Sequence, residues 1–245
     1  KNEMFEFRKK VQMVFQDPYS ALNPQKKIYT SFEEPLKTHG VSSVEEREKI
    51  MNRVLKMVNI QPDYLMRFPH EFSGGQRQRL CIARALEVTP EVLICDEPVS
   101  ALDVSIQAQV LNLMKEIQKE MNLTYLFIAH DLSVVQYMSD RIMVMYLGKI
   151  VEVADSKALY DEPLHPYTKA LISAIPVADI HYKKKRQVLE GEVPSPIHKP
   201  SGCAFHNRCP YCMDICKKED PALRYHGADG HMTACHLYDG SEVNA

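Results

Sequence analysis

The sequence predicts an α/β fold in which parallel strands alternate with helices, and two observations lead to this prediction. Two short apolar runs rich in β-branched residues, at 92–95 and 124–129, have the length and composition of buried parallel strands. Between them, apolar residues recur at spacings of four, three and four, at Val110, Met114, Ile117 and Met121. This spacing places them on one face of a helix that begins near Asp103, so the segment is predicted as strand, helix, strand.

Further elements extend this fold in both directions. Upstream, Ile50, Val54 and Val58 lie four residues apart within 44–60 and predict a second amphipathic helix. Downstream, the segments 141–146 and 149–153 flank Leu147-Gly148 and predict a β-hairpin. Prolines then become frequent, and regular periodicity fades near residue 178. We therefore expect an α/β domain over 1–178, a linker over 179–193 and a small cysteine-rich extension over 194–245.

The net charge of the chain and the length of its apolar stretches limit the classes of function that the sequence supports. The formal net charge is −2, so the chain as a whole carries no electrostatic footprint for nucleic acid, and no nucleic-acid partner is expected. The longest apolar stretches, such as 142–147, are far shorter than the roughly 20 residues that span a bilayer. Any contact with a membrane is therefore expected to go through a partner.

Two carboxylates, Asp96 and Glu97, follow the apolar run at 92–95. A strand end of this kind delivers acids to the carboxyl edge of a parallel sheet, where ligands bind. Adjacent side chains of a strand point to opposite faces, so Asp96 suits a magnesium ion and Glu97 suits a base that polarises water in nucleoside triphosphate hydrolysis. Taken alone, such a pair is more often a helix cap or a solvated turn.

The segment Ser73-Gly74-Gly75-Gln76 places two glycines where a helix is about to begin. Glycines leave backbone N–H groups unshielded, and the start of a helix binds phosphate. The same residues also fit a plain N-cap, in which Ser73 and Gln76 form a capping box. The surrounding sequence favours phosphate binding, because the segment precedes the strand of Asp96 and Glu97 by twenty residues and His130 ends the next predicted strand.

Five motifs, in this order along the chain, resemble the nucleotide-binding subunit of ABC transporters from its glutamine loop onward. They are Gln16 of the glutamine loop, residues 72–76 as the signature motif with Phe72 in place of its usual Leu, Asp96 with Glu97 as the Walker B acids, Asp103 of the loop that touches the opposing subunit, and His130 as the switch histidine. The resemblance implies a RecA-like P-loop NTPase core with a helical signature subdomain over about 20–85.

The resemblance implies a role for each of these residues in phosphoryl transfer. In that reaction, charge spreads over the γ-phosphate and a water molecule must be aligned. Glu97, as base, His130 and Gln16 are the expected catalytic residues. Asp96 and Gln16 are expected to hold Mg²⁺. The residues expected to bind ATP, partly across a head-to-tail dimer, are Ser73, Gly74, Gly75, Gln76, Asp96 and Asp103.

The loop 16–24 and the later His165-Pro166-Tyr167 segment resemble the oligopeptide and dipeptide permease subfamily. The short interval between Gln16 and Ser73 leaves no room for the long coiled coil of chromosome-maintenance ATPases. The resemblance implies a peripheral subunit at the cytoplasmic face of the cell membrane that powers peptide import. Its implied partners are a second ABC ATPase, as a copy or a paralogue, two membrane-spanning permease subunits and, indirectly, a substrate-binding protein. Nickel importers share this architecture, so nickel is the alternative cargo.

The 245 residues contain no Gly-x-x-x-x-Gly-Lys-Ser/Thr segment, the Walker A loop that holds the β- and γ-phosphates. Their only Gly-Lys pair, Gly148-Lys149, lies in the predicted hairpin. We therefore expect an N-terminally incomplete core that does not hydrolyse ATP alone. The alternative is a non-hydrolysing interaction module that completes the ATP site of a partner.

Five of the seven cysteines crowd between residues 203 and 235, in a stretch rich in proline and glycine. Four of them, Cys203, Cys209, Cys216 and Cys235, are predicted metal ligands, since thiolates suit iron–sulfur clusters or zinc. Disulfides fit poorly with a cytosolic ATPase. The run 202–210 resembles the cysteine motif of the same permease subfamily, which implies a [4Fe–4S] cluster, with Zn²⁺ as the alternative. Cys212 departs from that motif, which has a small residue there.

Overall fold

The computed structural model of the chain describes residues 2–175, 187, 189–226 and 230–239. The chain divides into two compact units, Lys1–Asp131 and Leu132–Ala245. No helix among the described residues is both long enough and apolar enough to cross a membrane.

The first unit combines a small sheet with a set of helices. Its elements in chain order are α1 (Asn2–Lys10), β1 (Val11–Val14), α2 (Pro18–Ala21), α3 (Ile28–Thr38), α4 (Val44–Met57), the 3₁₀ turns Pro62–Met66 and Pro69–Glu71, α5 (Gly74–Leu86), β2 (Val92–Asp96), α6 (Val104–Met121) and β3 (Thr124–Ile128). The strands run parallel in the order β1-β2-β3, with Cys95 between Val14 and Phe127. The predicted strand, helix and strand are therefore confirmed as β2, α6 and β3.

The prediction that both strands are buried is wrong for β3. Leu93 and Cys95 of β2 are fully buried, whereas Leu126 and Ile128 of β3 are 42% and 45% exposed. Among the residues that the structure describes, β3 pairs with β2 alone. Because successive side chains of a strand point to opposite faces, one set of the β3 side chains stays open to solvent.

Helices α3, α4 and α5 each bury an apolar face, in which Phe32, Met51 and Leu80 are fully buried. The helix predicted over 44–60 is present as α4, but it ends at Met57. Asn59 explains the earlier end, because it takes a left-handed φ of 57°, a conformation that commonly stops a helix.

The second unit is built on an antiparallel sheet. Its elements are α7 (Leu132–Met138), β4 (Arg141–Tyr146), β5 (Lys149–Asp155), α8 (Ser156–Asp161), α9 (Pro166–Ser173), the 3₁₀ turn His206–Arg208, α10 (Asp214–Lys218), β6 (Arg224–Tyr225), β7 (Met232–Thr233) and the 3₁₀ turn His236–Tyr238. The strand order is β4-β5-β7-β6. The predicted hairpin is confirmed as β4 and β5, joined at Leu147 and Gly148, whose φ angles of 47° and 78° suit a two-residue hairpin turn.

The cysteine-rich segment adds to this sheet instead of standing apart from it. β7 pairs with β5, where Thr233 lies beside Glu152. Phe205 is 1% exposed and packs against Tyr146 and Tyr167. The segment expected as a separate extension thus shares a core with 142–172. The two-residue strands β6 and β7 are too short to leave a periodic pattern in the sequence. Most of the expected linker, 179–193, lies outside the described residues.

Candidate functional site

Three polar side chains meet where the strands of the first unit end. Gln16 follows β1, Glu97 follows β2 and His130 follows β3, and the carboxyl ends of neighbouring parallel strands lie side by side. Gln16 Nε2 donates a hydrogen bond to Glu97 Oε2 over 2.8 Å. His130 Nδ1 lies 3.2 Å from Glu97 Oε1. The structure therefore brings together the three residues that the sequence predicts as catalytic.

The backbone holds Glu97 in an unusual conformation. Its φ of 43° lies in the left-handed region, which residues other than glycine rarely adopt. Three hydrogen bonds enforce it. Glu97 N donates to Ile128 O over 2.9 Å, and Ser100 N and Oγ donate to Glu97 O over 3.2 and 3.0 Å. Strained conformations of this kind persist only where their surroundings enforce them, and they concentrate at active sites.

The same site is accessible to water from the side of His130. The side chain of His130 is 71% exposed and that of Glu97 is 25% exposed. Asp96 ends β2 directly before Glu97 and is half-buried. A carboxylate that reaches water while polar neighbours orient both of its oxygens meets the first geometric requirement for a general base.

The glycine pair of the signature segment opens α5, where the sequence predicts a helix start. Ser73 caps this helix. Its Oγ accepts a hydrogen bond from Gln76 N over 3.3 Å, and Gln76 Oε1 accepts one from Ser73 N over 3.0 Å. The capping box of the alternative interpretation is thus present. It leaves phosphate binding open, because the Ser73 hydroxyl keeps its own proton for donation.

Gly75 lies directly against α6. A Cβ atom added at Gly75 would meet Ile106 Cγ2 at 2.5 Å, whereas one added at Gly74 would meet Leu102 Cδ2 at 3.5 Å. The first distance is a steric clash and the second is an ordinary contact. The packing of α5 on α6 therefore requires glycine at position 75 and tolerates a methyl group at position 74.

Gly75→Ala is expected to destabilise the first unit by about 1–3 kcal/mol, because the methyl group must displace the stiff, β-branched side chain of Ile106. Gly74→Ala is the matched control and is expected to change stability by less than about 1 kcal/mol. Denaturant unfolding of both variants measures the difference. Truncation of Ile106 to Ala in the Gly75→Ala background should recover part of the loss. Equal stability of the two single variants would contradict the close packing.

Of the other residues predicted to bind ATP, Asp96 directly precedes Glu97, whereas Asp103 and the signature segment begin two different helices. Asp103 is the N-cap of α6 and makes no capping hydrogen bond with its side chain. Within the described part of the chain, no hydrogen bond or ion pair joins residues 73–76 to Gln16, Glu97 or His130. The predicted site thus consists of two groups, the three side chains at the strand ends and the signature segment at the start of α5.

One face of α5 holds the helix that follows Gln16, and sequence reasoning missed this contact. The Arg77 guanidinium lies 3.6 Å from the centroid of the Tyr19 ring, and Arg84 Nη1 donates a hydrogen bond to Ala21 O over 2.7 Å. Cys81 Sγ approaches the backbone of α2 between them. Arg77, Cys81 and Arg84 follow the i, i+4, i+7 spacing of one helix face, which is the signal that could have revealed the contact.

A cleft of about 780 Å³ opens beside this contact. It is lined by residues 19–26 together with Ser31, Glu34 and Arg84. Only Asp17 separates Gln16 from α2, and Arg84 belongs to the helix that the signature segment starts. Only a few residues along the chain therefore separate the lining of the cleft from each of the two groups of the predicted site.

A buried carboxylate that was not predicted from the sequence accepts hydrogen bonds from several parts of the second unit. Glu152 of β5 is fully buried and accepts three hydrogen bonds, from the backbone N–H groups of Leu164 and His165 over 2.7 and 2.9 Å and from His231 Nε2 over 2.7 Å. Burial lowers the pKa of His165 to about 4. His165 is therefore neutral at neutral pH, and its Nδ1 accepts the Tyr167 N–H and caps α9. A glutamate inside the apolar run 150–154 was the available signal.

The four cysteines predicted as metal ligands lie in one region of the second unit, where they influence one another electrostatically. Cys203 N donates a hydrogen bond to Cys216 O over 2.8 Å. Burial raises the pKa of the Cys203 and Cys209 thiols and raises that of Cys235 to about 11. Among the described residues, no group of three or more His, Cys, Asp or Glu side chains is arranged to hold a metal ion.

Two family models match the chain. The model described as "ABC transporter" matches residues 1–100, which include Gln16, the signature segment and the Walker B acids. The model described as "Oligopeptide/dipeptide transporter, C-terminal region" matches residues 151–216, which include Glu152, His165 and four of the clustered cysteines.

Curated relatives match nearly the whole chain. The oligopeptide transport ATP-binding protein AppF of Bacillus subtilis (strain 168) is 55% identical over 233 residues, which cover 94% of this chain and 70% of the relative. The di/tripeptide transport ATP-binding protein DppF of Pseudomonas aeruginosa (strain UCBPP-PA14) is 47% identical over 96% of this chain and 72% of the relative.

Solved structures share the fold. The cbiO1 protein of Clostridium perfringens, part of the ABC transporter complex cbiONQ, aligns with a TM-score of 0.59 and 28% identity over 66% of this chain and 63% of its own. A dimeric ATP-binding cassette in a post-hydrolysis state, bound to ADP and Pi, aligns with a TM-score of 0.55 and 30% identity over 64% of this chain and 67% of its own.

Proposed function

Because the chain belongs to the oligopeptide/dipeptide ABC transporter family of ATP-binding subunits, we propose that Glu97 and the residues around it hydrolyse the ATP that powers peptide import. The chain is a transport ATPase subunit with a P-loop NTPase fold. The single observation that carries the catalytic assignment is the meeting of Gln16, Glu97 and His130 at the ends of three parallel strands.

Glu97 acts as the general base in this proposal. His130 and Gln16 orient its two oxygens, so a water molecule beside the carboxylate loses a proton to Glu97 as it attacks the γ-phosphate. The exposed imidazole of His130 donates a hydrogen bond to a γ-phosphate oxygen. Gln16 uses Nε2 for Glu97 and keeps its amide oxygen, which together with the Asp96 carboxylate makes the all-oxygen donor set that Mg²⁺ prefers. When bound there, Mg²⁺ neutralises charge that develops on the phosphate oxygens.

The signature segment serves ATP bound by an opposing ATPase subunit, a copy or a paralogue. Ser73, Gly74 and Gly75 offer a hydroxyl group and the unshielded N–H groups of a helix start, and Gln76 keeps Ser73 in place through the capping box. Asp103, whose side chain does not cap α6, is free of that structural task and is assigned to the contact between subunits. A head-to-tail dimer would bring this group to the ATP of the opposing subunit.

Membrane permease subunits are the partners of the first unit in this proposal, and the cleft lined by residues 19–26 is their docking site. An element seated there would contact α2, which directly follows the Gln16 loop, and Arg84, which belongs to α5. Docking would thereby act on both groups of the ATP site. The subunit then sits at the cytoplasmic face of the membrane as a peripheral protein, and a substrate-binding protein delivers cargo from the other side.

Transport by the assembled complex tests this function. ATP-dependent uptake of a labelled oligopeptide into vesicles that contain the transporter is expected, with unlabelled dipeptides and tripeptides as competitors and nickel ion as the comparison cargo. Uptake of nickel without uptake of peptides would assign the subunit to a nickel importer instead.

Cys203, Cys209, Cys216 and Cys235 bind a [4Fe–4S] cluster in this proposal, with Zn²⁺ as the alternative. The support for this proposal is that the four thiols lie in one region of the second unit, where they influence one another electrostatically, and that thiolates are ligands of both iron–sulfur clusters and zinc. Anaerobically purified subunit should absorb visible light, and Cys235→Ser should weaken the absorption. Colourless protein with stoichiometric zinc would count against the cluster.

A further inference from the structure

Cys212 is the clustered cysteine that the proposed metal site does not use. Together with Cys209 it forms a Cys-x-x-Cys sequence, Cys209-Pro210-Tyr211-Cys212. These four residues form a turn in which Cys212 N donates a hydrogen bond to Cys209 O over 3.3 Å. We propose that Cys209 and Cys212 are a dithiol–disulfide couple that is oxidised by exchange with a small-molecule disulfide.

The turn already brings the two cysteines within disulfide range. A β-turn holds its first and fourth Cα atoms less than about 7 Å apart, and disulfides join Cα atoms about 4.4–6.8 Å apart. The two thiols are close enough to influence each other electrostatically. Cys212 Sγ contacts Met213 O at 3.6 Å, a weak contact that rotation about χ1 releases. Pro210 favours the turn because its ring fixes φ at the second turn position. The turn therefore sets the Cα separation that a disulfide between the two cysteines needs.

The turn is accessible, as thiol exchange requires. Pro210 is exposed, Tyr211 is 52% exposed and Cys212 is half-buried. Cys216 also lies near Cys209, but it is only 7% exposed. A small disulfide in solution therefore reaches Cys212 more readily than it reaches Cys216.

The exchange balances in two steps. The Cys212 thiolate attacks one sulfur of the small disulfide, which forms a mixed disulfide and releases one small thiol. The Cys209 thiolate then attacks the Cys212 sulfur, closes the bond between the two cysteines and releases the second small thiol. Two protein thiols are oxidised, one small disulfide is reduced, and both protons end on the released thiols.

The couple also competes with metal binding, because Cys209 cannot ligate a metal while its sulfur is part of a disulfide. This consequence rests on the cluster of the proposed function, whereas the disulfide itself does not. The ratio of oxidised to reduced thiols in the surroundings would thus set whether the metal site has three ligands or four.

Thiol mapping of the full subunit tests the couple. The protein is equilibrated with a chelator in buffers of defined ratios of reduced to oxidised glutathione, and free thiols are then alkylated. Cleavage after Arg208 and before Asp214 releases residues 209–213, which contain Cys209 and Cys212 and no other cysteine. This peptide is expected to lose both alkyl groups in one step as the buffer becomes oxidising. Two free thiols, or glutathione adducts, in the most oxidising buffer would overturn the proposal.

Two variants show whether Cys209 pairs with Cys212 or with Cys216. Cys212→Ser is expected to leave Cys209 fully alkylated in the buffer that oxidises the parent protein, and the exposed turn should accept the change without loss of circular dichroism. Cys216→Ser is expected to preserve the disulfide. Protection of Cys209 that survives Cys212→Ser and disappears in Cys216→Ser would overturn the assignment.

A second experiment tests the dithiol–disulfide couple independently of the proposed metal cluster. The anaerobically purified subunit is oxidised with and without the chelator, and bound metal is expected to slow disulfide formation about ten-fold or more, since ligand binding stabilises the reduced thiols by mass action. Disulfide formation at equal rates in both samples would contradict the proposed cluster and leave the couple in place.

Discussion

Replacing Glu97 with Gln is expected to lower ATP turnover by the assembled transporter at least about 100-fold, the usual scale of a lost general base, while ATP binding survives. The amide keeps the shape of the side chain, and its oxygen still accepts the hydrogen bond of Gln16 Nε2, which spans 2.8 Å in the parent protein. The amide cannot take a proton from the attacking water. The chemical step therefore fails, whereas the ATP-bound dimer is expected to persist.

Glu91→Gln is the matched control, because it makes the same chemical change directly before the strand that ends at Asp96. Glu91 pairs with Lys10 over 2.9 Å, and its side chain is 66% exposed. Exposed ion pairs contribute little, so turnover is expected to stay within about two-fold of the parent value. Steady-state ATP hydrolysis and retention of labelled ATP by the complex measure both effects. Near-normal turnover by Glu97→Gln would remove Glu97 from the mechanism.

Replacing Glu152 with Gln is expected to destabilise the second unit by about 3 kcal/mol. The carboxylate accepts hydrogen bonds from three donors, the N–H groups of Leu164 and His165 and Nε2 of His231. A glutamine offers one oxygen and turns its NH₂ group toward at least one of these donors. Leaving a buried donor without an acceptor costs about 1–3 kcal/mol, and a neutral amide oxygen binds His231 Nε2 more weakly than the carboxylate does.

Glu162→Gln, at an exposed position after α8, is the control and is expected to change stability by less than about 0.5 kcal/mol. Denaturant unfolding gives the overall loss. Amide hydrogen exchange locates it, because the N–H groups of Leu164, His165 and strand β7 are expected to exchange faster in Glu152→Gln. Unchanged exchange at β7 would show that the carboxylate does not hold the C-terminal segment to the sheet.

Part of the secondary structure followed from local sequence patterns. The helical spacing of Val110, Met114 and Ile117 identified α6 because a helix has to bury one stripe of side chains. The turn at Leu147-Gly148 identified the hairpin. The strand ends of Glu97 and His130 were predicted as well, and parallel strands end at the same edge of a sheet, whereas β1, which Gln16 follows, was not predicted.

The chain's own patterns were therefore enough for the α/β fold class, for α4, β2, α6 and β3 and for the hairpin of β4 and β5. The set of Gln16, Glu97 and His130 was given by the resemblance to ABC transporter subunits. The patterns did not predict the exposure of β3, the close contact of Gly75 with Ile106 or the three hydrogen-bond donors that surround Glu152. Periodicity records which face of an element is buried, but not which distant residue covers it. His231 and Glu152 are separated by 79 positions along the chain. Their pairing depends on how turns and short strands return the backbone to β5, and that path leaves no local pattern to read.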